Sequence, residues 1–160
     1  MTQRAKVHLV LWPSAFVAGL VGTLVVIREP TEPLTPSALN AARQQWRDSA
    51  VVNYDLSFAM HGSIYAVQIR EGLVVHAEVN GRKPLTADLE AYSMDGLFDL
   101  LEQELENSAG PAGSLGSSAG RPLLRVRFNS KLGYIEKYLR SASSGMRGAA
   151  IELTHFARVS

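Results

Sequence analysis

The stretch "VRFNSKLGYIEKYLRS", residues 126–141, alternates apolar and polar side chains, breaks its period over residues 129–133, and then alternates again. That is the pattern of two β-strands joined by a short reversal. Gly133 supplies the backbone freedom a reversal needs. A connection this short forces the two strands to run antiparallel, because a parallel pair needs a long crossover. A third strand is predicted over residues 149–157. With a strand over 123–128 and one over 134–141, it makes a three-stranded meander.

A second meander precedes it. "VVNYDLSFAMHG" places Val52, Tyr54, Leu56, Phe58 and Met60 on one face and Asn53, Asp55, Ser57 and His61 on the other. In "SIYAVQIREGLVVHAEVNG", Tyr65, Val67 and Ile69 share a face, Glu71-Gly72 turns, and Leu73, Val75, Ala77 and Val79 share the next. Asn80-Gly81 is a strong turn signal. Each meander follows a helical pattern. In "SALNAARQQWRDSA", Leu39, Ala42, Trp46 and Ala50 fall on one stripe, and Thr35 or Ser37 can cap. Trp46 is expected to anchor that helix on a sheet. In "YSMDGLFDLLEQELENS", Ser93 is the expected cap and Tyr92 with Leu97 a hydrophobic staple. The apolar stripe is Met94, Leu97, Phe98, Leu101 and Leu105. The fold class is therefore α+β. Two helices pack on a curved antiparallel sheet of about six strands, in the order α-β-β-β-α-β-β-β, preceded by an N-terminal transmembrane helix.

That last element comes from "VHLVLWPSAFVAGLVGTLVVI", residues 7–27. It is about the length that crosses ~30 Å of hydrocarbon as a helix. It is apolar all round, which argues against a surface helix of a globular domain. Arg4 and Lys6 precede it, favouring a cytoplasmic N-terminus and an external C-terminal part. A cleaved signal, giving a secreted domain, is the alternative; Val17 and Gly19 make a poor cleavage site. Pro30, Pro33 and Pro36 then recur every third residue, which favours an extended spacer. The chain divides into residues 1–28 (cytoplasmic tip and anchor), 29–36 (Pro-rich linker) and 37–160 (extracytoplasmic domain).

The 160 residues carry a net charge of +1 and no cysteine. Nothing global points to nucleic acid, and thiol chemistry, disulfides and thiolate metal sites are excluded. His8, His61, His76 and His155 have no zinc-motif spacing, Gly-x-Ser-x-Gly is absent, and the glycines of "AGPAGSLGSSAGR" match no phosphate-binding loop. No catalytic residue, cofactor or metal site is assigned, and the reading leans away from an enzyme. The charges are polarised. Asp88, Glu90, Asp95, Asp99, Glu102, Glu104 and Glu106 occur with no Lys or Arg among them, whereas residues 121–158 are mainly basic. Arg125, Arg127, Tyr134, Lys137, Tyr138 and Arg140 form the candidate binding rim, an imperfect strip because Lys137 and Arg140 do not share one face of a regular strand. It would suit an envelope protein, a cell-wall polymer or anionic lipid. Tyr134 and Tyr138 are expected on one side of their strand, hydroxyls reaching water.

Trp46, "YDLSF", "VQIREGLVV", "YSMDGLFDLLEQEL", "VRFNSKLGYIEKY" and "IELTHF", in that order, resemble a bacterial family of unknown function, domain family 6174. The resemblance covers about three quarters of the chain, residues 39–156. It implies a small α+β domain, secreted or membrane-anchored, and no mechanism. The chain departs from the family pattern in three places. Many relatives carry cysteines near the end of the first strand, where this chain has Phe58-Ala59-Met60. Ile135 stands where proline often follows Gly-Tyr. Met146-Arg147-Gly148-Ala149 stands where acidic residues often precede the last strand. The implied function is a membrane-anchored binding or scaffolding module of the cell envelope; the alternative is a small-ligand sensor or an envelope enzyme with a site assembled from distant residues.

Overall fold

A computed structural model of the chain describes residues 30–86, 88–109, 122–141 and 150–159. The apolar stretch 7–27 expected to cross a membrane lies outside them, as does the glycine-rich stretch 110–121. No helix among the described residues is long and apolar enough to cross a bilayer.

The elements follow the expected order with two additions, a first short strand and a 3-10 turn. They are β1 (Glu32–Pro33), α1 (Pro36–Asp48), β2 (Tyr54–Met60), β3 (Ser63–Arg70), β4 (Leu73–Val79), a 3-10 turn (Glu90–Tyr92), α2 (Met94–Ala109), β5 (Leu123–Phe128), β6 (Ile135–Ser141) and β7 (Ala150–Arg158). All strands join one antiparallel sheet in the order β1-β5-β6-β7-β2-β3-β4. The two meanders therefore meet where β7 pairs with β2, the last strand beside the first of the main set.

The seventh strand comes from the proline-rich segment. Glu32 pairs with Val126 and Pro33 with Arg125. Leu34 donates its N–H to the Leu124 carbonyl at 3.0 Å and buries its side chain. Arg125 grips Thr31 through its hydroxyl, at 3.0 Å, and its carbonyl. The segment is extended, as its prolines predict, but it is fastened to the edge of the sheet. Alternation turns the Pro33 nitrogen outward, where it has no N–H to offer a further strand. At the opposite edge, Val79 and Arg82 exchange backbone hydrogen bonds and the Glu90 carboxylate accepts the Val74 N–H. Each rim of the sheet is thus blunted at part of its length.

Both helices lie on one face of the sheet. Leu39, Ala42 and Trp46 of α1 and Met94, Leu97, Phe98 and Leu101 of α2 share one core with Tyr54, Leu56, Phe58, Val67, Ile69, Val126, Ile135, Tyr138 and Ile151. Thr35 caps α1, accepting the Ala38 N–H at 3.2 Å, and Ser93 caps α2, accepting from Gly96 at 3.1 Å. Gly96 is required there: a Cβ would come within 2.7 Å of the Ala91 backbone. Trp46 anchors α1, edge-on to Tyr54 and Phe156 with centroids 5.3 and 6.0 Å apart.

Two faces differ from expectation. The strand β4 does not keep Leu73, Val75, Ala77 and Val79 together. The register shifts between Gln68 and Ile69, so Ile69 opposes Val74, and Val75 is the extra residue of a bulge. Val74 packs against the core, while Leu73 and Val75 are more than half exposed. Ala50 leaves the helical stripe because α1 ends at Asp48; Ala50 follows in the left-handed region, with φ 49°. The tight turns His61-Gly62, Glu71-Gly72 and Asn80-Gly81 carry positive φ at both residues, the type I′ geometry that suits the twist of a hairpin. His61 is therefore a turn residue.

Candidate functional site

The reversal between β5 and β6 is built from Asn129 outward. Its N–H reaches the Tyr134 carbonyl at 2.8 Å, and its carbonyl accepts from Gly133 at 2.9 Å. Its side-chain oxygen accepts the N–H groups of Lys131 and Leu132, at 3.1 and 3.0 Å. Its amide donates to Glu136 Oε1 at 2.9 Å and to the Tyr134 hydroxyl at 3.2 Å. Gly133 sits at φ +78°, and a Cβ there would run into the Ala42 carbonyl oxygen and within 3.0 Å of Gln45 Cβ. Gln45 in turn donates to the Ser130 carbonyl at 2.9 Å. The corner is bolted to α1 by backbone contact.

The six rim residues do not converge. Register places Arg125, Arg127 and Lys137 on the helix-free face, with Arg127 opposite Lys137. Tyr138 and Arg140 oppose Val126 and Leu124 and so face the helices. There they hold Glu104 of α2: the Tyr138 hydroxyl donates to Oε2 at 3.1 Å, and Arg140 Nη1 lies 3.0 Å from the same oxygen. The Tyr138 hydroxyl does not reach bulk water, because the side chain is 1% exposed beneath α2. Burial first, and the Glu104 carboxylate second, push its pKa well above the ordinary tyrosine value. Tyr134 stacks on Phe156 at 4.4 Å. Burial, helped by nearby Glu136, raises its pKa too.

The outward cations have partners. Arg127 Nε donates to Glu136 Oε2 at 2.8 Å, Lys137 lies 3.3 Å from Glu152, and Arg125 holds Thr31. On the helix side, Arg43 of α1 bridges Asp99 and Glu102 of α2, both at 2.9 Å, with its guanidinium 5.6 Å from the Phe98 ring centre. The ion pair of Arg140 with Glu104 ties the acidic helix to the basic strands, while Asp99 and Glu102 are held by Arg43 of α1.

The helix-free face carries a shallow polar depression of about 320 Å³ across β2, β3, β4 and β7. Ser57 and Ala66 lie between His155 on one side and His76 with Glu78 on the other, following the cross-strand pairs His155–Ser57, Ser57–Ala66 and Ala66–Glu78. His76 Nε2 is 3.1 Å from Glu78 Oε1. Arg70 Nη1 is 2.8 Å from Asp55 Oδ1, but its aligned hydrogen bonds go to the carbonyls of Ile69 and Tyr54, at 2.7 and 3.2 Å. That carboxylate oxygen is covered and lacks an aligned donor. Among the described residues, no three His, Asp or Glu side chains are grouped to hold a metal ion. A cleft holding Glu136, Asp55 and His155 together would favour an enzyme, and the depression holds only two of them. Asp55 and His155 line the depression, and Glu136 is held at the corner.

No family model, curated protein or solved structure matches the chain.

Sequence reasoning missed Glu104, which emerges as the centre of the β6–α2 contact. The available signal was its position: Glu104 follows Leu101 by three residues and so borders the apolar stripe of α2, as Glu102 does on the other side, four residues after Phe98.

Proposed function

We propose that the chain is a membrane-anchored, extracytoplasmic α+β module of the bacterial cell envelope that binds or scaffolds rather than catalyses. The observation that carries this reading is the fastening of residues 31–34 to the β5 edge. The segment that follows the apolar stretch is joined to the sheet by strand pairing, a buried Leu34 and the Arg125 grip on Thr31. A domain fastened in this way to its own tether is held at a defined edge, which suits presentation of a surface. The helix-free sheet face is the surface presented. The ionisable groups that lie together support the same reading. Arg43 with Asp99 and Glu102, Glu104 with Tyr138 and Arg140, and Arg127 with Glu136 join one element to another. Membership of domain family 6174 is part of this proposal and rests on the order of motifs from Trp46 to Phe156.

The test is fractionation of cells expressing a C-terminally tagged chain, with the product mass measured and spheroplasts treated with protease. The reading expects a full-length, membrane-bound product that loses its tag to external protease. A shortened soluble product would replace the anchor with a cleaved signal. A tag protected in intact spheroplasts would end the extracytoplasmic reading. Catalysis is tested separately: turnover of ester, peptide or glycoside probes by the purified chain, abolished by one substitution, would overturn the binding role.

A further inference from the structure

A cleft of about 370 Å³ opens between the first turn of α1 and the last turns of α2. Its apolar lining is Pro36, Leu39, Leu105 and Ala109, and Leu39 belongs to the buried core. Its size is at the lower end for small-molecule sites and far below a stable protein interface. Two carboxylates, Glu102 and Glu106, stand at its margin. Arg43 engages Glu102 from α1. Glu106 is exposed and has no ion pair among the described residues. The α2 sequence from Met94 to Ala109 contains no Lys or Arg, and its last turn has no basic side chain. Among the described residues, no basic side chain therefore offsets the partial negative charge of the helix C-terminus beside the cleft. Ser108 covers only one of the terminal acceptors, donating to the Leu105 carbonyl at 2.7 Å.

We propose that this cleft binds a small amphiphilic cation, an apolar body bearing one ammonium group. The apolar lining removes the body from water, and the ammonium meets Glu106 and the carbonyl end of α2. An anion would meet two carboxylates and the wrong end of a helix dipole. A neutral apolar molecule would gain burial without the charge contact. The inference does not depend on where the domain is located, so it stands or falls apart from the anchor.

The test uses the purified, ¹⁵N-labelled full chain and three near-isosteric probes: benzylammonium, benzyl alcohol and benzoate. Benzylammonium is expected to shift the amides of Leu39, Asn40, Leu105 and Glu106 saturably. Benzyl alcohol should bind about tenfold more weakly and benzoate not at all. Glu106→Gln, at an exposed position, should weaken benzylammonium about threefold to fivefold. Asn40→Lys, which tethers an ammonium at the rim, should compete with it. Equal response to the alcohol would overturn the charge role. Shifts spread over Asp95 and Asp99 with Leu39 unmoved would show loose counterion attraction and overturn the cleft. Absence of any saturable response to benzylammonium would overturn the proposal with no variant needed.

Discussion

At the scale of single residues, the backbone at Gly133 sets the tightest constraint. Gly133→Ala imposes a left-handed φ on an L side chain and drives its Cβ into the Ala42 carbonyl of a capped helix. A loss of about 2–4 kcal/mol is expected in denaturant unfolding, larger than φ strain alone would give. Ala50 is the converse case. It occupies the left-handed position just beyond α1, where glycine is the usual residue. Ala50→Gly should stabilise by about 1 kcal/mol, read from the same unfolding midpoint. Tyr54 carries a pH signature. Burial pushes its pKa up to about 12 from the ordinary 10.0, partly opposed by the hydrogen bond its hydroxyl accepts from the Met94 N–H. The raised value means the neutral form is favoured in the folded state. Its contribution is complete below pH 10 and is lost as pH rises from 10 through 12. The loss amounts to about 2–3 kcal/mol. Tyr54→Phe removes its share of the alkaline slope, leaving that of Tyr138, so unfolding followed across pH 9–12 should show a shallower loss in the variant. Gly133 was legible in the sequence as a turn glycine. Its contact with α1 was not, because a residue 91 positions away supplies the obstacle.

Among elements, the grip of β6 on α2 through Glu104 matters more than the count of charges. Glu104→Ala leaves the Tyr138 hydroxyl buried without its acceptor, at a cost of about 1–3 kcal/mol. Arg43→Ala removes contacts to carboxylates that are themselves half exposed or more, and should cost about 1 kcal/mol or less in ion pairing. A thermal melt of the two variants should rank them in that order. The helices and six of the strands could be read from period alone. The stripe from Met94 to Leu101 and the alternation through Tyr54, Leu56 and Phe58 have one periodicity each and no competitor. Two things broke that reading, and a third feature followed from it. A bulge at Val75 moved Val74 inward, and nothing in "LVVHAEV" distinguishes adjacent valines. The two-residue strand β1 is too short to show a period. The candidate rim splits as strand alternation requires, with Lys137 on one face of β6 and Tyr138 and Arg140 on the other. Side chains that are neighbours in sequence are on opposite faces in a strand.

For the whole molecule, the blunted rims predict that the folded domain does not add strands to itself. Pro33→Thr restores an outward N–H on β1, and Glu90→Ala frees the Val74 N–H on β4. Together they should raise the apparent mass in light scattering as concentration increases, whereas the natural sequence should not show the rise. The fastening of residues 31–34 has a mechanical consequence as well. A load arriving through Pro30 meets the Arg125 grip on Thr31 and the two pairs of β1 before anything else. Only Thr35 separates Leu34 from the first turn of α1, so the next resistance is the capped end of that helix, and then Trp46 in the core. Tension would therefore release the chain in steps, strap before helix and helix before sheet, with the short β1 serving as the fuse.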